Sequence, residues 1–92
     1  MLPVERTILK QLFTNLEFAR VIFPHCRDEF FTSNQTATIY RHIQAFFNEY
    51  QKLPTPRVVE IELDQDTALS DRELTELRQT LADVVAEPEL TA

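Results

Sequence analysis

The side chains best suited to chemistry in this chain are the adjacent pair His25 and Cys26, together with His42. Tetrahedral zinc takes four nitrogen or sulfur ligands at characteristic spacings. Only these three are present, and there is no second cysteine. A nucleophilic thiol needs a base aimed at it, an orienting third group and an oxyanion hole. Neighbouring residues such as His25 and Cys26 do not point at each other, and His42 falls on a different segment. The carboxylate groupings are Asp28 with Glu29, then Glu60, Glu62 and Asp64, then Asp64 with Asp66. Paired acids can hold a metal or exchange protons. Here they interleave with apolar residues or sit in a loop, which is the pattern of a solvated face. Asp64-Gln65-Asp66 lacks the Gly and the distal Glu of a calcium-binding loop. No catalytic, cofactor-binding or metal-ligating residue is assigned, and no cofactor is expected.

The count of glycines is zero. Phosphate-cradling loops, dinucleotide-binding turns and the nucleophile elbow of serine hydrolases all need Gly so that backbone can approach ligand or turn sharply. These classes are excluded on steric grounds. Tight hairpins, which need positive φ, are disfavoured for the same reason. The 92 residues make one domain. With 43% apolar residues and seven Phe, the chain can hold one modest core. Nine basic against fifteen acidic side chains give a net charge of −6, and only Lys10 and Lys52 are lysines. Such a surface repels phosphate, so direct nucleic-acid binding is not expected, and Arg20, Arg27 and Arg41 are scattered. The single Cys fits a reducing cytoplasm. No apolar run approaches the roughly 20 residues that span a bilayer, so no membrane partner is expected. The first residues lack the pattern of a signal peptide.

Helical periodicity predicts an all-α fold, a compact orthogonal bundle of about five helices. The first helix runs from about Pro3 to Phe13, with Val4, Ile8 and Leu12 recurring beside Leu9 and Phe13. Asn15 caps a second, through about Phe23, ended by Pro24. Residues 24–33 form a connector in which at least one of Phe30 and Phe31 turns inward and Asp28-Glu29 begins a short helical turn. The third helix starts at Ser33 or Asn34 and reaches about Gln51. Its stripe of Ile39, Tyr40, Ile43, Phe46, Phe47 and Tyr50 is wide and aromatic, which makes it the central helix, packed with the first and second. Thr55-Pro56 opens a fourth segment to about Asp64. The alternation Val59-Glu60-Ile61-Glu62-Leu63 fits a half-buried strand, whereas the Thr-Pro start and the lack of a partner strand favour helix. Ser70-Asp71-Arg72-Glu73 is a capping box for a fifth helix to about Ala86, striped by Leu74, Leu77, Leu81 and Val84. Glu87-Pro88 stops it. The domain is thus 3–86, with 87–92 a flexible tail or truncated linker.

The expected structural core is Ile8, Leu12, Ile22, Phe31, Tyr40, Ile43, Phe46, Phe47, Tyr50, Leu77 and Leu81. Truncating Ile43 or Phe46 to Ala is expected to cost about 2–5 kcal/mol through a cavity. Seven Phe and two Tyr exceed what so short a chain needs inside. The surplus predicts a partly exposed apolar patch that binds protein. The aromatic stripe of the third helix could also serve base stacking, but it lacks the surrounding basic residues.

The stretch Leu9 to Thr55 carries a resemblance. Glu5-Arg6-Thr7-Ile8-Leu9-Lys10-Gln11-Leu12, then Asn15 to Ile22, then Glu29-Phe30-Phe31, Ile39-Tyr40, Ile43, Phe46, Tyr50 and Lys52-Leu53-Pro54-Thr55 follow one another in a familiar order. This order resembles the N-terminal domain of DnaB-type replicative DNA helicases, especially the version of T-even-like bacteriophages. From Asp64 onward the sequence is simply compatible. The resemblance implies a non-catalytic collar domain that scaffolds a hexameric ring and binds primase, helicase loader and other helicase subunits during DNA replication. The ATPase would lie in a separate C-terminal domain, and the setting would be a bacterial host cytoplasm. It also implies a fragment lacking the family's C-terminal helical hairpin, hence a monomer or weak dimer. The alternative is a free-standing acidic helical adaptor or inhibitor that binds a host protein. The partner-binding residues stay unassigned.

Overall fold

A computed structural model describes residues 3–86, which form five α-helices and one short 3₁₀ turn, with no strand among them. The helices are α1 (Pro3–Thr14), α2 (Leu16–Ile22), α3 (Asn34–Tyr50), α4 (Pro56–Asp64) and α5 (Asp71–Ala86), with the turn at Asp28–Phe30. The expected stop at Glu87-Pro88, the tail 87–92 and the side chain of Val4 lie outside the described residues.

Each boundary has a local cause. The Asn15 side chain accepts the Phe18 amide at 3.1 Å and opens α2 immediately after α1. Ser33 Oγ accepts the Thr36 amide at 3.1 Å and opens α3. Thr55 Oγ1 accepts from Val58 at 3.2 Å and, with Pro56 in the first turn, makes 56–64 a helix and not a strand. Val59 and Leu63, four apart, are fully buried, while Ile61 between them is 42% exposed. An alternating strand would have put all three on one face. At α5 the capping box closes both ways: Glu73 N donates to Ser70 Oγ at 3.2 Å, and Ser70 N donates to Glu73 Oε1 at 3.3 Å. These caps satisfy amides that no helical carbonyl can reach.

Helix α3 lies against α1, α4, α5 and the 3₁₀ turn. The third member of the central unit is α5, not α2. It packs on α1, α3 and α4, while α2 packs on α1. Cut short by Pro24, α2 reaches α3 through the ring of its C-cap residue Phe23. That ring lies 4.9 Å from Phe47 and 5.9 Å from Tyr40, centroid to centroid. Phe31 turns inward onto Tyr40 at 4.9 Å, and Phe30 stays outside, 61% exposed.

Among the residues expected inside, Leu12, Phe31, Tyr40, Ile43, Phe47, Leu77 and Leu81 lie in one buried cluster with Leu9, Ile39, Val59, Leu63 and Val84. Ile8 and Ile22 are half-buried at its edge. Two expectations are corrected. Tyr50 is 54% exposed, and Phe46 is half-buried, stacked on Tyr50 at 4.6 Å. Tyr50 shares the azimuth of Ile39, Ile43 and Phe46 but stands in the last turn of α3, beyond Phe47, whose ring meets α2. Periodicity sets the direction of a side chain around the axis and says nothing about whether a neighbour reaches that height.

Candidate interaction surface

The reactive side chains stay apart from one another. Tyr40, fully buried, donates its hydroxyl to the Cys26 carbonyl at 2.7 Å and closes the 24–33 connector over the core. Burial pushes the Cys26 thiol above its ordinary value, and the Tyr40 hydroxyl offsets part of the rise. Burial, and then the charges that Cys26 and Asp28 would carry, drive the Tyr40 phenol well above its own ordinary value. A thiol held protonated is a poor nucleophile. His25 is exposed, and His42 Nδ1 sits 3.2 Å from Glu62 Oε1, linking α3 to α4. Among the described residues no three His, Cys, Asp or Glu converge to hold a metal ion. No helix among them is long and apolar enough to cross a membrane.

The acidic residues are placed by charge pairing. Asp28 meets Arg41 at 2.9 Å, and Asp64 meets Arg78 across the α4–α5 contact. Glu60 pairs with Arg57 at 3.1 Å, and Asp66 accepts the Ala68 amide at 3.0 Å in the turn before α5. One carboxylate is of a different kind. Glu5 is buried and accepts hydrogen bonds from the Thr32 amide at 2.8 Å, the Thr32 hydroxyl at 2.7 Å and the Thr36 hydroxyl at 3.1 Å. It ties α1 to the start of α3, where the amide ends of a helix favour negative charge. In the sequence Glu5 stands out only as part of the stretch that carries the resemblance. Its signal was spacing: Glu5, Leu9 and Leu12 fall on one face, so an acid shares the buried stripe.

Two concavities open on the surface. One, of about 380 Å³, lies between the first half of α3, the turn before α5 and the start of α5. Ala45, Leu69 and Leu77 line part of it, and polar groups of its wall are already bonded to each other, with Gln35 Nε2 donating to Glu76 at 2.9 Å and Arg72 pairing with the same carboxylate. The other, of about 410 Å³, lies between the end of α2 and the second half of α3. Its floor is Phe23 and Phe47, and its walls carry Arg20 from α2 and Gln44, Asn48 and Gln51 from α3. Gln51 is the left-handed C-cap of α3, with φ of 56° and no glycine to ease it. Its side chain folds back and donates to the Phe47 carbonyl at 3.2 Å. Val21, 65% exposed, stands beside Arg20 on α2.

The family model "DnaB-like helicase N terminal domain" matches residues 1–92. The chain belongs to the DnaB-like helicase N-terminal domain family. The match takes in the stretch from Asp64 onward, where the residues alone showed only a compatible helix. In DnaB this domain mediates assembly and primase interaction. Membership accounts for the absence of a phosphate-binding loop from these 92 residues, since the ATPase of such helicases is not in this domain. No curated protein and no solved structure matches the chain.

Proposed function

We propose that this chain works as the non-catalytic N-terminal domain of a replicative hexameric DNA helicase of the bacteriophage type, acting in the bacterial cytoplasm. Its work is binding: it scaffolds ring assembly and holds primase and the helicase loader. Residues 3–86 act as the collar unit and 87–92 as a flexible tail or truncated linker. The observation that carries this reading is the family match along all 92 residues. It is supported by a sequence in which a phosphate loop is sterically impossible and by large apolar side chains left outside the core, Val21, Phe30 and Tyr50 among them. The test is titration of the purified chain with a primase encoded by the same replicon, read by calorimetry and sedimentation. A stoichiometric complex that forms without nucleotide is expected. Absence of a complex with primase or with the loader overturns the reading, and so does turnover of nucleotide by the chain alone.

A further inference from the structure

The groove between α2 and α3 differs from the rest of the surface in what it leaves unpaired. Among the described residues, seven of the nine basic side chains meet a carboxylate or a carbonyl. Arg6 meets Asp83, Arg27 meets Glu29, Arg41 meets Asp28, Arg57 meets Glu60, Arg72 meets Glu76, Arg78 meets Asp64, and Lys10 donates to the Val85 carbonyl. The two that meet neither are Arg20 and Lys52. Arg20 stands on the α2 wall of the groove, and Lys52 follows Gln51 at its α3 end. Glu17 and Glu49, exposed on the same two helices, also lack a partner among the described residues, but of these four charges Arg20 alone lines the groove. The excess acid of the described residues lies elsewhere: residues 56–86 carry eight acidic and three basic side chains.

The groove floor is two aromatic rings 4.9 Å apart, and its α3 wall presents the side-chain amides of Gln44 and Asn48, one helical turn apart. Neither amide is bonded to another described residue. An amide side chain offers one acceptor and two donors, the complement of a peptide backbone. A guanidinium offers a fork that fits a carboxylate. The rings, each 9% exposed, offer their edges as apolar contact for a large side chain, and Arg and aromatic residues are those that dominate binding energy at interfaces. From this arrangement we infer that the α2–α3 groove binds a peptide segment of a partner protein in which an acidic residue neighbours a large apolar one. The apolar side chain sits on Phe23 and Phe47, the carboxylate meets Arg20, and the main chain runs along Gln44 and Asn48. The acidic surface of α4 and α5 repels the same segment. The inference rests on the functional reading above and adds the place and the chemistry of one contact.

The test uses the 92-residue chain and three short fluorescein-labelled peptides. One alternates Glu with Leu and Phe; the others carry Gln or Lys in place of Glu. Anisotropy is expected to show the Glu peptide binding about tenfold tighter than the Gln peptide and the Lys peptide weakest. Amide chemical shifts should move around residues 20–24 and 44–52. Arg20→Glu should weaken the Glu peptide by at least about tenfold and restore binding of the Lys peptide. Its melting temperature should hold, because Arg20 is exposed and contacts no charged partner. Equal affinity for all three peptides, shifts confined to α4 and α5, or an unaltered Arg20→Glu variant overturns the inference. So does a short single-stranded oligonucleotide that displaces the Glu peptide, or self-association that Arg20→Glu abolishes. Primase titrated in parallel separates the two readings. If primase binds wild type and Arg20→Glu equally while the Glu peptide binds neither, the groove assignment falls and the functional reading stands. If the Glu peptide binds as described and primase binds nothing, the functional reading falls and the groove stands.

Discussion

The two ends of α3 are built on opposite principles. At its beginning, polar groups face inward: the Glu5 carboxylate takes three donors from Thr32 and Thr36, Ser33 caps the helix, and Phe31 and Tyr40 stack beneath. At its end, apolar rings reach the surface: Phe46 and Tyr50 stack on each other there, and Phe47, itself buried, shows an edge in an open groove beside an unpaired arginine. The first end is closed on itself and holds the fold. The second leaves aromatic area and hydrogen-bonding groups available, which is what a binding domain needs. One helix therefore divides stability from recognition along its length.

The sharpest way to break this comparison is to truncate one residue from each side of it. Tyr40, fully buried on the first side, should lose about 3–5 kcal/mol on change to Ala, whereas Phe46→Ala should lose no more than about 1 kcal/mol, because a half-exposed ring leaves no closed cavity. Equal losses in urea denaturation would erase the distinction between the two ends. Next in size is Glu5→Ala, which removes the acceptor for the Thr32 and Thr36 donors and should cost about 1–3 kcal/mol by the same measurement. A change no larger than that of an exposed residue would mean the polar knot is decorative. Gln51→Gly acts at the other end and in the other direction. It relieves a left-handed residue at the cost of a side-chain cap, for a net gain of about 0.5–1 kcal/mol in thermal melts. The smallest effect is on pH. The folded chain holds the Cys26 and Tyr40 protons more tightly than the unfolded chain, whose ordinary values are 9.0 and 10.0. Their contribution is complete below pH 9 and is lost as pH rises through the higher folded values. Cys26→Ser should flatten the first part of that alkaline decline.

What could be read in the sequence was what is local. The caps at Asn15, Ser33, Thr55 and Ser70 lie within three residues of the amides they serve, so the helix starts were legible. The inward Phe of the connector followed from having two rings and one core. Glu5 was not recognised as a buried clamp because its partners lie 27 and 31 residues away, and an acid in a first helical turn has an ordinary explanation in the helix dipole. Tyr50 was misplaced because its azimuth is that of the core and its height is not. The groove was illegible for a related reason. Arg20 and Lys52 are unremarkable among nine basic residues until the structure pairs the other seven. The family signal beyond Asp64 needed a whole-family model, since leucines at helical spacing are common to many folds.

Glu5 also acts as a registration mark. Slide α1 by one turn against α3, and its leucines would still find apolar cover, since oily surfaces mate in many alignments. The carboxylate would not, for only one position puts it opposite an amide and two hydroxyls. An ion stranded in the interior without donors is costly enough to empty every shifted alternative. The acid thus selects which of several greasy fits the protein adopts.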